Sequence, residues 1–361
     1  VTVDIDGNVQ LQGNSNIRFL INGKPSSIFG ASLADALQSI PSTQIKAIEV
    51  ITSPGAKYDA NGTGGIINIV LKKNNSKGIN GNLSLTGGTR TENGSFNFNA
   101  RKGSFGVNAY VSGNATLKAR SLSTSQRTTD DTTANNKVFL NQLSSSDDKR
   151  SGYQTGLGFD WDLNKYNGIS GSVGYQNFGH TGATMTSQLQ QAEGANGTLL
   201  SEIENSINSD HNFRFQNVDA SLNYKKTFKK EDQELDLAVN TSLGDRNVMD
   251  NNYQYLLPQD SLFYATKEKN PGTEDETEIR ADYTQPLKKN ILLGVGSKLS
   301  FYDVTSNSEV LKLNGSTNYT TDNYLSDNVD YHQKVYAFYS ELTFPVFKLF
   351  DAKIGGRYER L

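Results

Sequence analysis

The sequence contains no cysteine. Disulfides and thiolate metal sites are therefore excluded. It has no surplus of positive charge either, because the formal net charge is −3. A basic nucleic-acid surface is excluded on that ground, and no nucleic-acid partner is expected. No apolar run approaches the roughly 18 residues of a membrane-spanning helix. No secretory leader is visible. Val1 opens inside a strand-like stretch and "KIGGRYERL" ends in another, so the chain is expected to be a piece of a longer protein. Histidine is scarce. His180, His211 and His332 are isolated in sequence, and no pair has metal-ligand spacing. No nucleophile, base and orienting residue can be read as a triad. The expectation is no enzyme, no catalytic set, no cofactor and no metal site.

What is present narrows the class. Apolar residues make up 35% of the chain, which is little for a packed core. Yet there are 17 Tyr, 17 Phe and 33 Gly. Disordered chains are poor in aromatics, so disorder does not fit. A polar, aromatic and glycine-rich chain suits many strands with one polar face. The length of 361 residues admits two or three ordinary domains or one large β structure.

Residues 1–77 read as a small α+β unit. "IRFLINGKP" (17–25) is a strand ending in the Asn22-Gly23 turn pair. "SLADALQSIP" (32–41) is a short helix that Ser32 can cap and Pro41 stops. "IKAIEVIT" (45–52) and "GIINIVLKK" (65–73) are strands. Their apolar residues fall on both faces, which predicts cover on both sides. Glu49 and Arg18 lie among these apolar residues. They are either a buried ion pair, because a buried charge needs a partner, or solvated residues at a sheet edge.

From residue 78 the pattern changes to strict alternation. In 153–163 the odd positions are Tyr153, Thr155, Leu157, Phe159, Trp161 and Leu163, against Gln154, Gly156, Gly158, Asp160 and Asp162. Similar alternation returns at 218–228 and 291–301. Eleven such segments fall near 79–87, 94–101, 104–116, 152–163, 168–180, 212–227, 233–245, 277–286, 291–303, 330–344 and 349–361. The gaps after 101, 163, 227, 286 and 344 are short. The gaps 117–151, 181–211, 246–276 and 304–329 are long and polar, and are expected to be loops.

A sandwich has no reason to keep every second loop long. A membrane barrel does, with short periplasmic turns and long outer loops. Tyr110, Trp161, Tyr166, Phe178, Tyr224, Phe228, Phe301 and Tyr302 would then form interfacial girdles. Leu157, Phe159, Trp161, Leu222, Tyr224, Leu293 and Val295 should face lipid, and Asp160, Asp219, Asn223 and Lys298 the lumen.

The stretch "FLINGKP" and the longer "IPSTQIKAIEVITSPGAKYDANGTGGIINIVLKK" resemble the C-terminal part of the plug domain of TonB-dependent outer-membrane receptors. Asp59 stands where that family usually has Gly, and the order around Pro54-Gly55 is changed. The resemblance implies residues 1–77 as the C-terminal part of a plug and residues 78–361 as the N-terminal half of an outer-membrane β-barrel. The fold class is then mostly β, an antiparallel up-and-down transmembrane barrel of which about half of 22 strands is present, after a small α+β plug remnant. It further implies the outer membrane of a Gram-negative bacterium, contact with outer-membrane lipid, and a TonB-type energy-coupling partner whose site lies upstream. The function implied is uptake of a scarce nutrient such as an iron chelate, a vitamin or a glycan. Two other classes stay open: a structural or adhesive surface barrel, and a soluble carbohydrate-binding β protein.

No ligand-binding residue is assigned. Gly62-Thr63-Gly64-Gly65 lacks the Gly-Lys-Ser/Thr ending of a phosphate loop and reads as structural. Asp130-Asp131, Asp147-Asp148 and "EDETE" (274–278) read as solvated acidic loop clusters, with weak divalent-cation binding as the lesser alternative. Tyr253, Tyr255, Phe263 and Tyr264 are aromatics that could stack on sugars or simply pack a loop.

Overall fold

The computed structural model describes residues 1–3, 9–14, 17–21, 24–25, 45–52, 56, 65–71, 78–131, 136–288, 290–315, 317–346 and 350–361. The helix expected over 32–41, and Gly62 to Gly64, lie outside these residues. All regular structure among the described residues is strand.

Six short strands come first. They are β1 (Thr2–Val3), β2 (Val9–Gln10), β3 (Arg18–Ile21), β4 (Lys24–Pro25), β5 (Ile45–Ile51) and β6 (Ile66–Leu71). Four of them form a sheet in the order β4-β3-β6-β5. β6 is its centre, parallel to β3 and antiparallel to β5. Ile66, Ile67, Asn68 and Ile69 are consecutive and all buried, so β6 is covered on both faces as its pattern predicts. Val9, Phe19 and Ile67 form a small core with Ile17 against it. β5 differs from the expectation. It is an edge strand, and Ile48 and Val50 are exposed.

Gly65 leads into β6 with φ +142°, a conformation that L side chains rarely adopt. A Cβ there would lie 2.5 Å from Leu11 Cδ2 and 3.0 Å from the Ile51 carbonyl oxygen. The glycine is required by the close approach of β5 and Leu11, which agrees with its structural reading.

The rest of the chain is one antiparallel meander. It contains β7 (Gly78–Thr86), β8 (Thr91–Lys102), β9 (Phe105–Asp131), β10 (Asn136–Asn164), β11 (Asn167–Gly194), β12 (Leu199–Thr227), β13 (Glu234–Leu256), β14 (Ser261–Lys288), β15 (Ile291–Asn314), β17 (Asp327–Val346) and β18 (Phe350–Arg360). β16 (Asn318–Thr321) pairs at the far end of β15. Each strand pairs with its sequence neighbour, from β7 at one edge to β18 at the other. All eleven alternating segments are strands of this sheet. No Greek-key crossover occurs among the described residues.

Most described residues of the long polar gaps are strand and not loop. β10 and β12 each run for 29 residues, and residues 117–131, 136–151, 181–194 and 199–211 continue the strands without leaving the ladder. At about 3.3 Å per residue such strands extend about 95 Å. A tilted membrane crossing needs only about 9–11 residues. The outer two-thirds of each long hairpin therefore stands above the bilayer. Both of its faces are wet, so the ladder persists without apolar alternation. Backbone hydrogen bonds to the neighbouring strand hold it instead.

In the lower part, burial is inverted. Leu157 is 68% exposed, Leu222 53% and Val295 40%, while Lys298 is 5% exposed and Glu278 3%. Gln154, Gln176, Asn217 and Asn240 are buried as well. An apolar face turned outward and a polar face turned inward is the arrangement of a barrel wall in lipid. A sandwich would bury the opposite set.

Candidate functional site

The inner face of the wall carries the side chains able to meet a solute. Alternation fixes which ones they are, since successive residues point to opposite faces. Near the short turns, Arg101 pairs with Asp160 and, at 2.6 Å, with Asp162. Further along, β14 turns Glu274, Glu276, Glu278, Arg280 and Asp282 to this same face. Lys298 Nζ donates to Glu278 Oε2 at 3.1 Å, and Arg280 Nε lies 2.9 Å from Asp282 Oδ2. The Tyr339 hydroxyl donates to Asp282 at 2.5 Å and the Tyr302 hydroxyl to Glu274 at 3.0 Å. Asp219 accepts from Ser242 and Asn217. These charges are paired within the wall, as buried charges must be. The acidic run 274–278 is thus a strand of the lumen wall and not a solvated loop.

Three of the expected girdle aromatics belong to this inner face. Phe178 is buried against Phe213 and Phe215, with ring centroids 5.8 and 5.3 Å away. Tyr110 lies flat over Gly156, where a Cβ would sit 2.5 Å from the ring. Tyr302 packs edge-on against Tyr331 at 6.1 Å. Their spacing along the chain suggests an interface, but their parity places them inside. The lipid-facing girdle keeps Trp161, which stacks edge-on with Phe105 at 6.2 Å, and Tyr224, whose hydroxyl donates to Asn167. Lys165 over Tyr166 and Lys226 over Phe228 flank the short turns. Tyr153 and Tyr175, 5.9 Å apart, mark the other border of the apolar band. Along the strand the two borders are about 26 Å apart, which at a tilt of about 40° is a height of about 20 Å, somewhat below the roughly 25 Å band of an outer-membrane barrel.

Above that border the inner face forms a hollow of about 250 Å³. It is lined by Asp148, His180, Thr184, Ser209, His211 and Asp250, among others. His180 Nε2 lies 3.2 Å from Asp148 Oδ1, and His211 Nδ1 lies 2.5 Å from Asp250 Oδ1. The two imidazole centroids are 5.3 Å apart. The register builds this cluster. Asp148 is opposite Gly182, Gly182 opposite His211, and His211 opposite Asp250. The two histidines are isolated in sequence, and their approach depends on pairing across strands that linear spacing does not reveal.

On the outer face above the bilayer, Asp147 sits between Arg120 and Lys118, at 2.9 and 2.8 Å. The hydrogen bond from Arg120 holds its carboxyl well below the usual carboxylate range. His332 Nδ1 meets Asp303 at 2.5 Å and its Nε2 meets Asp330 at 3.0 Å. The Asp303 hydrogen bond and the Asp330 charge raise its pKa. Tyr253, Tyr255, Phe263 and Tyr264 are strand residues of the outer hairpins. Tyr264 carries Lys312 over its ring at 5.5 Å.

Ala56, between β5 and β6, touches the wall. Arg357 Nη1 donates to the Ala56 carbonyl at 3.3 Å, and Ala56 Cβ lies against Gly355. Glu49 is exposed and accepts a hydrogen bond from Asn68 Nδ2 at 2.8 Å. Of the two readings of Glu49 the structure fits the solvated one, because β5 is the edge of its sheet among the described residues. The Arg18 side chain lies outside what the structure describes.

An outward apolar face, a charge-lined inner face and a nearest-neighbour meander define an outer-membrane β-barrel wall. Residues 226–361 match the outer membrane protein beta-barrel family, and the protein is one of the outer membrane of Gram-negative bacteria. No curated protein matches the chain. Among solved structures, the chain is similar to the ferric-catecholate import receptor Fiu of E. coli K12 at 14% identity and a TM-score of 0.49. The similarity covers 95% of this chain and 57% of that one. It is similar to the ferric yersiniabactin uptake receptor FyuA of Yersinia pestis at 10% identity and a TM-score of 0.42, covering 90% and 53%. For the ferric citrate transporter FecA the values are 10% and 0.37, covering 95% and 54%. The chain spans a little more than half the length of these receptors.

Proposed function

We propose that residues 1–77 are the C-terminal part of a plug and residues 78–361 about half the barrel wall of a TonB-dependent receptor. The whole protein takes up a scarce nutrient, such as an iron chelate, a vitamin or a glycan, across the outer membrane. The observation that carries this reading is the contact of Ala56 with Arg357 and Gly355. It brings a residue between β5 and β6 against the inner face of a wall whose other face is apolar, which supports a plug in the lumen. A barrel wide enough to need a plug has a lumen that would otherwise leak. The tall polar hairpins supply the capture surface outside. A TonB-type partner acting on the plug from the periplasm would then rearrange it. The chain's own residues suggest no covalent chemistry, because the charges on the inner face are paired with one another.

Uptake tests the reading directly. A strain lacking the gene should lose growth on one nutrient of these classes supplied as sole source, and loss of the TonB-type protein should have the same effect. Unchanged uptake across all three classes, together with loss of surface attachment, would support a display barrel instead.

A further inference from the structure

We infer that His180 and His211, oriented by Asp148 and Asp250, form a binding site for a divalent transition-metal ion on the lumen wall above the bilayer. This inference concerns binding alone and does not depend on the transport reading.

Imidazoles that bind metals commonly hand their second ring nitrogen to a carboxylate, which fixes the tautomer and the ring orientation. Both halves of that arrangement are present here. Asp148 faces His180 Nε2 and Asp250 faces His211 Nδ1. His180 Nδ1 and His211 Nε2 have no hydrogen-bond partner among the described residues. Their lone pairs are thus free for a cation.

The separation of the rings fits one shared ion. A zinc–nitrogen bond is about 2.0–2.1 Å, which puts each ring centroid about 3.2 Å from the metal. At a tetrahedral angle two such centroids are about 5.2 Å apart. The observed separation is 5.3 Å. The hollow between the strands, about 250 Å³, holds an ion with its remaining ligands.

Charge supports a cation. Asp148 and Asp250 line the hollow, and Glu268 lies directly across from Asp250. Arg150, across from His180, is the opposing charge. No group of three or more His, Asp or Glu side chains converges on one point among the described residues. The protein therefore supplies two ligands, and water or a chelate completes the shell. Open positions of this kind suit a site that must release its ion. Imidazole donors favour Zn²⁺ and Cu²⁺ over Mg²⁺ or Ca²⁺.

The test uses the full-length protein in detergent micelles after removal of metals. Calorimetric titration with Zn²⁺ should find one site per chain in this region. H180A and H211A should each weaken it at least tenfold, and H332A, on the outer face, should leave it unchanged. Cu²⁺ EPR should show coupling to two imidazole nitrogens in the parent protein and to one in either single variant. D148N and D250N keep both ligands and should lower affinity about 10–100-fold through the lost orientation. This second pair of variants decides the matter if the histidine variants fold poorly. Zn²⁺ affinity unchanged in the H180A/H211A double variant, or no two-nitrogen Cu²⁺ signal in the parent, would overturn the assignment.

Discussion

At the scale of single residues, paired charges decide behaviour. Lys298 and Glu278 are both buried and 3.1 Å apart. Removing Lys298 leaves buried Glu278 with the longer contact to Arg280, at 4.0 Å, at a cost of about 3 kcal/mol, the lower end for a broken buried pair. K298M should therefore lower stability by about that amount in urea unfolding from lipid vesicles. The double variant E278L/K298M should recover most of the loss, and a double variant as unstable as the single would contradict the pairing. His332 gives a pH effect of definite sign. Asp303 and Asp330 raise its folded pKa above the ordinary 6.5. Its contribution is therefore fully present below the unfolded pKa and is lost as pH rises through the folded one. NMR titration of His332 should place its midpoint above 6.5, and D303N should lower it. A midpoint indifferent to D303N would rule out the Asp303 hydrogen bond as the cause.

At the scale of strands, the membrane crossings are legible from sequence because lipid enforces a period of two. Leu157, Leu222 and Val295 must be apolar while Gln154, Asn217 and Lys298 must not. Leu222→Arg on the lipid face should cost about 2–4 kcal/mol. Ser221→Arg, one residue away on the inner face, should cost less than half as much. Unfolding of both variants from vesicles checks this, and equal costs would reverse the assigned faces. The outer halves of the hairpins were not legible. There both faces meet water, so residues 181–211 carry no alternation and read as a loop although they pair on both sides of the turn at 195–198. The candidate metal site is hidden for the same reason. His180 and His211 meet only because Gly182 stands opposite His211, and that register is set by the turn at 195–198. Parity also corrects the aromatics. Phe178 follows the polar Gln176 on its face, which assigns it to the lumen once the strand is known to cross there.

At the scale of the molecule, the sheet has two unsatisfied borders. Among the described residues, β7 pairs only with β8, and β18 only with β17. Ile79, Leu83 and Leu85 on the first border, and Ile354 and Tyr358 on the second, are exposed. Unpaired N–H and C=O groups cannot remain in hydrocarbon, so in the membrane each border needs a further strand. The apolar face of β5, with Ile48 and Val50 exposed, has the same need for cover. A wall continued beyond both borders, curving around the small sheet, would meet all three needs at once. Cysteines placed by L83C and I354C test this in the membrane-inserted full-length protein. The expectation is no rapid intramolecular bridge between them, because the remaining strands keep the borders a barrel width apart. A fast bridge in a monomer would mean that β7 and β18 pair directly. The eleven strands would then close by themselves, the lumen would be too narrow for residues 1–77, and the plug-and-wall reading would fail.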